Sequence, residues 1–195
     1  MDKVELLRYI AVTFAFLLFI SLYFNFKFSK MLKKYRKNEN ILIRSAYFNP
    51  VTDLPNRENI DLIISEQIDR ALRHNQTFLL TVIKLKNYHE VKMHSEKLAD
   101  EFIIEASDRL LASIRDEDSL AHITDDGFVI VFNEYLDEEN YDVILQRIKE
   151  SFSNKPNLDT KYQIDFEIAY GHSKYPDDGT DAGLLIDTAT KKALK

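Results

Sequence analysis

Hydrophobic positions along this chain change their spacing several times, and each change marks an element. From Tyr9 to Phe28 the residues YIAVTFAFLLFISLYFNFKF are almost unbroken apolar and aromatic, with Asn25 and Lys27 arriving only late. As a helix, such a run is long enough to cross a hydrocarbon core of about 30 Å. The pattern predicts a short extracytoplasmic N-terminus over 1–8, one transmembrane helix over 9–28 and a basic juxtamembrane stalk helix over 29–45. Pro50 and Pro55 in NPVTDLPNR end the helical pattern. ENIDLIISEQIDRALRH then shows helical spacing at Ile60, Ile63, Ile64, Ile68, Ala71 and Leu72. TFLLTVIKL is β-rich with few polar positions, as a strand covered on both faces should be. SEKLADEFIIEASDRLLASI reads as an amphipathic helix, and DSLAHI with FVIVF as a strand hairpin around an acidic tip. DEENYDVILQRIKESF begins with acids suited to a helix N-terminus, YQIDFEIAYGHSKY alternates like a strand, and DAGLLIDTATKKALK closes as a helix. The order α-β-α-β-β-α-β-α over 46–195 predicts an α+β fold: a central, mostly antiparallel sheet covered by helices, preceded by one transmembrane helix.

Charge is distributed unevenly, and this bears on topology and partners. Residues 1–37 carry eight basic and two acidic side chains, a balance of +6; the whole chain is −6, so residues 38–195 hold −12. Lys27, Lys30, Lys33, Lys34, Arg36 and Lys37 follow the apolar run with no acid among them. The positive-inside rule then predicts a single-pass protein of the inner (cytoplasmic) membrane with its C-terminal domain in the cytoplasm. A domain this acidic lacks the basic face that nucleic acid demands. The chain has no cysteine, which excludes disulfides, thiolate metal sites and cysteine nucleophiles. His74, His89, His94, His122 and His172 are scattered without the spacing of a helical ligand pair, and each is expected to be solvent-exposed.

Three stretches in order carry a resemblance. AYFNPVTDLPNR is similar to the opening motif of GGDEF domains, the diguanylate cyclases; YGHSKYPDDGTDAGLLIDTATKKALK resembles their closing strand, Tyr-Pro loop and last helix. Between them the acidic hairpin sits where the family carries Gly-Gly-Asp-Glu-Phe. The resemblance spans residues 45–195 and implies a nucleotidyl-cyclase-like fold. In an active member two domains face each other, each holding GTP with a divalent metal, and each 3′-hydroxyl attacks the other's α-phosphorus. Metal ions and positioning supply most of the catalysis in such phosphoryl transfer.

Against that pattern the signature reads Thr124, Asp125, Asp126, Gly127, Phe128. Side chains replace both glycines, and Asp125 adds negative charge where phosphate would lie. Asp126 keeps the third-position carboxylate, while Gly127 stands where the family has its catalytic acid. The family's Asp-x-Asp on the first long strand corresponds to Lys84 and Lys86, ammonium groups where magnesium needs hard oxygen ligands. The residues that read guanine correspond to Lys92-Met93, Glu96-Lys97 and Asp100-Glu101, and Lys92 has donors but no acceptor. His122 stands where the family usually has arginine. The comparison predicts a degenerate domain without catalytic residues, cofactor or magnesium, its lost metal positions being Lys84 and Gly127.

One family site keeps its residue types. Many cyclases bind their product, cyclic di-GMP, at an inhibitory Arg-x-x-Asp just before the signature; RDED supplies Arg115 and Asp118 at that spacing, and Arg147 in LQRIK matches an auxiliary arginine. Guanidinium groups grip phosphate or stack on bases, and a carboxylate accepts from the donor edge of guanine. A second reading also fits: Asp118 terminates an element while Arg115 and Arg147 form a solvated face among Asp116, Glu117 and Glu150. The sequence therefore points to a membrane-anchored, catalytically inactive cyclic di-GMP receptor. The alternative is a ligand-free scaffold that pairs with itself or with other GGDEF-type proteins, and a residual diguanylate cyclase stands third.

Overall fold

The computed structural model describes residues 2–133, 138–158 and 162–194. Its elements are α1 (Lys3–Tyr47), α2 (Arg57–His74), β1 (Phe78–Leu85), α3 (Tyr88–His94), α4 (Glu96–Ser113), β2 (Ser119–Thr124), β3 (Gly127–Val131), α5 (Glu138–Ser153), β4 (Ile168–Tyr175) and α6 (Ala182–Ala193). Two compact units divide them, Met1–Arg44 and Ser45–Lys195.

In the first unit the expected membrane anchor is overturned. Among the described residues no helix is long and apolar enough to cross a membrane, so the transmembrane segment over 9–28 and the inner-membrane placement derived from it do not stand. α1 has the length, with 45 residues. Thr13, Ser21, Tyr23 and Asn25 interrupt the apolar run, and Lys27 and Lys30 close it. The side chains of residues 4–12 and of Ala15 lie outside the described ones, and the part of the expected anchor that falls there is untested.

The second unit is a four-stranded sheet in the order β2-β3-β1-β4. All three pairings are antiparallel. β1 is central because both of its faces are buried. Phe78, Leu80 and Val82 pack with Ile60 and Ile64 of α2 and with Leu185, Ile186 and Ala189 of α6. Leu79, Ile83 and Leu85 pack with Phe102 and Leu110 of α4 and Ile148 of α5. A strand that alternates between two apolar cores reads as one continuous hydrophobic run, as β1 does. α6 approaches β4 so closely at Gly171 that a β-carbon there would collide with the Ala189 carbonyl and the Ala193 amide.

Two features of this unit differ from the sequence reading. The stretch after β1 is two helices instead of one, because Ser95, with extended backbone at ψ 149°, ends α3 and its hydroxyl accepts from Leu98 N–H to cap α4. The strand expected over 162–175 is confined to Ile168–Tyr175. Upstream of it, Asn87 receives the chain instead: its side chain donates to the Asp165 carbonyl at 2.7 Å and accepts from Glu167 N–H at 3.3 Å.

Candidate functional site

The hairpin tip is built by register. β1 pairs with β3 so that Lys84 lies opposite Gly127, which brings the lysine beside the turn Asp125-Asp126. The turn is fixed to β1 by Leu85 N–H, which donates to the Asp126 carbonyl at 2.8 Å. The Asp126 carboxylate has two partners: Thr124 Oγ1 donates to Oδ1 at 3.0 Å, and Lys84 Nζ lies 3.0 Å from Oδ2. The two side chains of this ion pair are only 22% and 18% exposed, so the charges meet in a half-buried setting that screens them weakly. From α3, Lys92 Nζ reaches Asp125 Oδ2 at 3.4 Å, a far more exposed contact. Its hydrogen bond to the Asp125 carboxylate pushes the Lys92 ammonium above its ordinary pKa.

The divalent metal that the resemblance implies does not fit this arrangement. An ammonium already stands at ion-pair distance from the surviving carboxylate, Gly127 offers no side chain, and Thr124 Oγ1 fills the space beside its Cα. A second cation at this place would face Lys84 at close range. The positions corresponding to the base-reading residues are dispersed along α3 and α4. Met93 is 81% exposed, and Glu101 is engaged by Lys97 at 3.4 Å in an i, i+4 pair. Lys86 is exposed in the turn that follows β1. Phe128, by contrast, is fully buried and belongs to the core on the α4 side.

The second constellation lies on the other side of β2. After α4, the chain turns through Arg115–Asp118, closed by Asp118 N–H donating to the Arg115 carbonyl at 3.1 Å and Arg115 N–H donating to Asp118 Oδ2 at 3.1 Å. Burial pushes the Asp118 carboxyl above its usual value, although the backbone N–H groups of Arg115 and Asn133 pull it the other way. Arg115 Nη1 lies 3.8 Å from Glu117 Oε1. Arg147 projects from α5, and its Nη2 donates to the carbonyl of Ser113, the last residue of α4. The structure therefore brings Arg147 to the chain two residues before Arg115, and all three predicted residues share one corner between α4, α5 and β2. Arg115 and Arg147 are exposed and Asp118 is half-buried.

Sequence reasoning assigned no role to two of the polar residues in these corners. Arg109, whose spacing from Glu105 was its only signal, donates to the carbonyls of Ser151 (2.6 Å), Asn154 (2.6 Å) and Lys155 (2.7 Å), fastening the end of α5 to α4. His122, read as an exposed strand residue, is instead buried and stacks on Phe128 with ring centroids 4.8 Å apart.

Comparison with known proteins places this geometry. The family described as "Diguanylate cyclase, GGDEF domain" matches residues 46–195. The chain is 26% identical over 148 residues to the bifunctional diguanylate cyclase/cyclic di-GMP phosphodiesterase MucR of Pseudomonas aeruginosa, covering 75% of this chain and 21% of that protein. It spans about a fifth of the length of the curated relatives it matches. Among solved structures, the GGDEF domain of TpbB (YfiN) from Pseudomonas aeruginosa aligns with a TM-score of 0.71 at 17% identity, over 76% of this chain and 87% of that one. The coiled coil and GGDEF domain of DgcB from Caulobacter crescentus, solved in complex with c-di-GMP, aligns with a TM-score of 0.69 at 15% identity, over 84% and 86%. At such identities the structural likeness speaks for the fold alone, and the family match over three quarters of the chain carries the assignment: residues 46–195 belong to the GGDEF domain family.

Proposed function

We propose that this protein is a catalytically inactive GGDEF domain that binds cyclic di-GMP at Arg115, Asp118 and Arg147. The observation that carries the binding half is the bond from Arg147 to the Ser113 carbonyl, which gathers two exposed guanidinium groups and a half-buried carboxylate at one corner. Guanidinium groups suit the phosphates or bases of a cyclic dinucleotide, and Asp118 has lone pairs left to accept from a guanine edge. The inactive half is supported by Lys84 at 3.0 Å from Asp126, where phosphoryl transfer needs a divalent ion, and by the missing acid at Gly127.

A second reading, a ligand-free scaffold pairing with itself or with other GGDEF-type proteins, is favoured by a different feature: the charges of the corner already have partners. Arg115 faces Glu117, Arg147 caps α4, and Asp118 closes its own turn. Calorimetric titration of cyclic di-GMP into the full chain separates the two. Micromolar binding that Arg115→Ala abolishes supports the receptor; no heat up to saturating nucleotide rejects it and leaves the scaffold. GTP with magnesium in a product assay tests the inactive half separately, and turnover to cyclic di-GMP would overturn it.

A further inference from the structure

Asn133 follows β3 by two residues and clasps the Arg115–Asp118 turn. β2 pairs with β3 so that Ser119 lies opposite Val131, and continuing that antiparallel register puts Glu117 level with Asn133. The Asn133 side chain donates from Nδ2 to the Glu117 carbonyl and to Ser119 Oγ at 3.3 Å. A carbonyl can only accept, so the nitrogen of this amide faces the turn. The Asn133 backbone N–H donates to the Asp118 carboxylate, which also accepts from Arg115 N–H at 3.1 Å. One residue thus holds the chain at three successive positions, Glu117, Asp118 and Ser119.

Asn133 is itself anchored on two sides. Its carbonyl accepts from Gln67 Nε2 at 3.1 Å, and Gln67, on α2, is only 7% exposed, so this amide depends on a protein partner. The residue before it, Phe132, is fully buried, and its N–H donates to the Leu79 carbonyl of β1 at 3.1 Å. The clasp therefore fastens the turn to the core strand and to α2. A carboxylate on a solvated turn samples several rotamers, whereas one gripped by N–H groups from two separate segments keeps one direction. A carboxylate has about four acceptor positions, and the two N–H groups leave about two.

We propose that Asn133 is a positioning residue of the ligand corner: it aims the Asp118 carboxylate at the donor edge of guanine and thereby sets the preference for cyclic di-GMP over cyclic di-AMP. The inference rests on the receptor reading above and adds the residue that gives that site its base selectivity. Guanine offers two donors side by side, N1–H and the exocyclic amino group, and these match the acceptor positions left on Asp118. Adenine has a lone pair at N1, which a carboxylate held in the same direction repels. Arg115 and Arg147 grip phosphate, which both dinucleotides share, so discrimination falls to Asp118 and to whatever fixes its direction. Asn133 spends its side-chain nitrogen on the Glu117 carbonyl and Ser119 and acts on the ligand only through Asp118.

The test titrates cyclic di-GMP and cyclic di-AMP separately into the native full chain and into Asn133→Ala. The native chain should prefer cyclic di-GMP by roughly a hundredfold or more, and Asn133→Ala should narrow the ratio to within about tenfold by weakening cyclic di-GMP alone. Native affinity alike for both, an unchanged ratio in the variant, or equal weakening of both dinucleotides overturns the proposal. A second arm needs no ligand: in Asn133→Ala, amide-exchange protection of Arg115 and Asp118 should fall by roughly fivefold or more relative to β1, and unchanged protection refutes the clasp. If the native chain binds neither dinucleotide, the receptor reading fails and takes the selectivity with it, while the exchange arm still decides whether Asn133 holds the turn. Should Asn133→Ala not fold, Gln67→Met removes the anchor on the Asn133 carbonyl at little change in volume. It should shift the ratio in the same direction, and no shift counts against the proposal.

Discussion

Thr124 Oγ1 occupies the space that a side chain on Gly127 would need, and it is held there by its bond to Asp126 Oδ1 at 3.0 Å. The two changes at the signature are thus sterically linked. Gly127→Ala must rotate Thr124 away from Asp126, at a cost of about 1–2 kcal/mol in urea unfolding. Combining it with Thr124→Gly removes the obstructing hydroxyl, and the double variant should cost less than the sum of the singles in a double-mutant cycle. Strict additivity would show that the two positions are independent.

The two lysines at the hairpin should differ sharply in weight. Lys84→Ala leaves Asp126 half-buried without its cation, and stability should drop by about 2–3 kcal/mol. Lys92→Ala removes a partner from Asp125, whose side chain is 69% exposed, and water replaces it with no measurable change in stability. Guanidinium unfolding of the two variants side by side checks the ranking, although chloride screening makes urea the more discriminating denaturant.

Gly171 is a contact requirement of the α6–β4 interface. A β-carbon there would sit 2.8 Å from the Lys192 carbonyl carbon and closer still to Ala189 and Ala193 backbone atoms, none of which can rotate aside. Gly171→Ala should therefore cost about 3 kcal/mol and lower the thermal midpoint by several degrees. Gly183→Ala, whose nearest neighbour is the Asp181 side chain at 3.2 Å, serves as the mild control.

Asp118 sets a pH dependence on the proposed ligand. Burial raises its pKa above the ordinary carboxylate range, so it takes up a proton at a higher pH than an exposed aspartate. If the ionised carboxylate accepts from guanine, cyclic di-GMP affinity is complete above that raised value. It falls as pH drops through it, by at most about tenfold per pH unit. For stability the sign reverses, since a folded state that holds the proton more tightly contributes stability at low pH that is lost as pH rises. Calorimetry across the acid range should show the fall in the native chain, and Asp118→Asn should flatten it.

Much of the domain was legible in the amino-acid order because local patterns impose it. The buried run TFLLTVIKL could only be a central strand, since both of its faces meet apolar helices. The hairpin was equally plain, with two apolar segments around a polar turn. The helix starting after Ser95 was legible too, whereas the short α3 before it, seven residues with only Tyr88 and Val91 buried, left no periodic signal long enough to read. The anchor does not stand because no helix among the described residues is long and apolar enough to cross a membrane.

Residue identity by itself determined which chemical groups this protein owns: no cysteine, lysines at 84 and 86, a glycine at 127, and an Arg-x-x-Asp at Arg115–Asp118 before the hairpin. Only the tertiary structure decided what those groups do to one another. Lys84 reaches Asp126 because strand register places it opposite Gly127, 43 positions away along the chain by number. Arg147 reaches Ser113 because α5 packs on α4, and Thr52 reaches His122 across 70 residues because the α1–α2 loop lies along the sheet edge. Those distances depend on pairing and packing between segments remote in sequence, and a linear pattern carries no information about which remote segments meet.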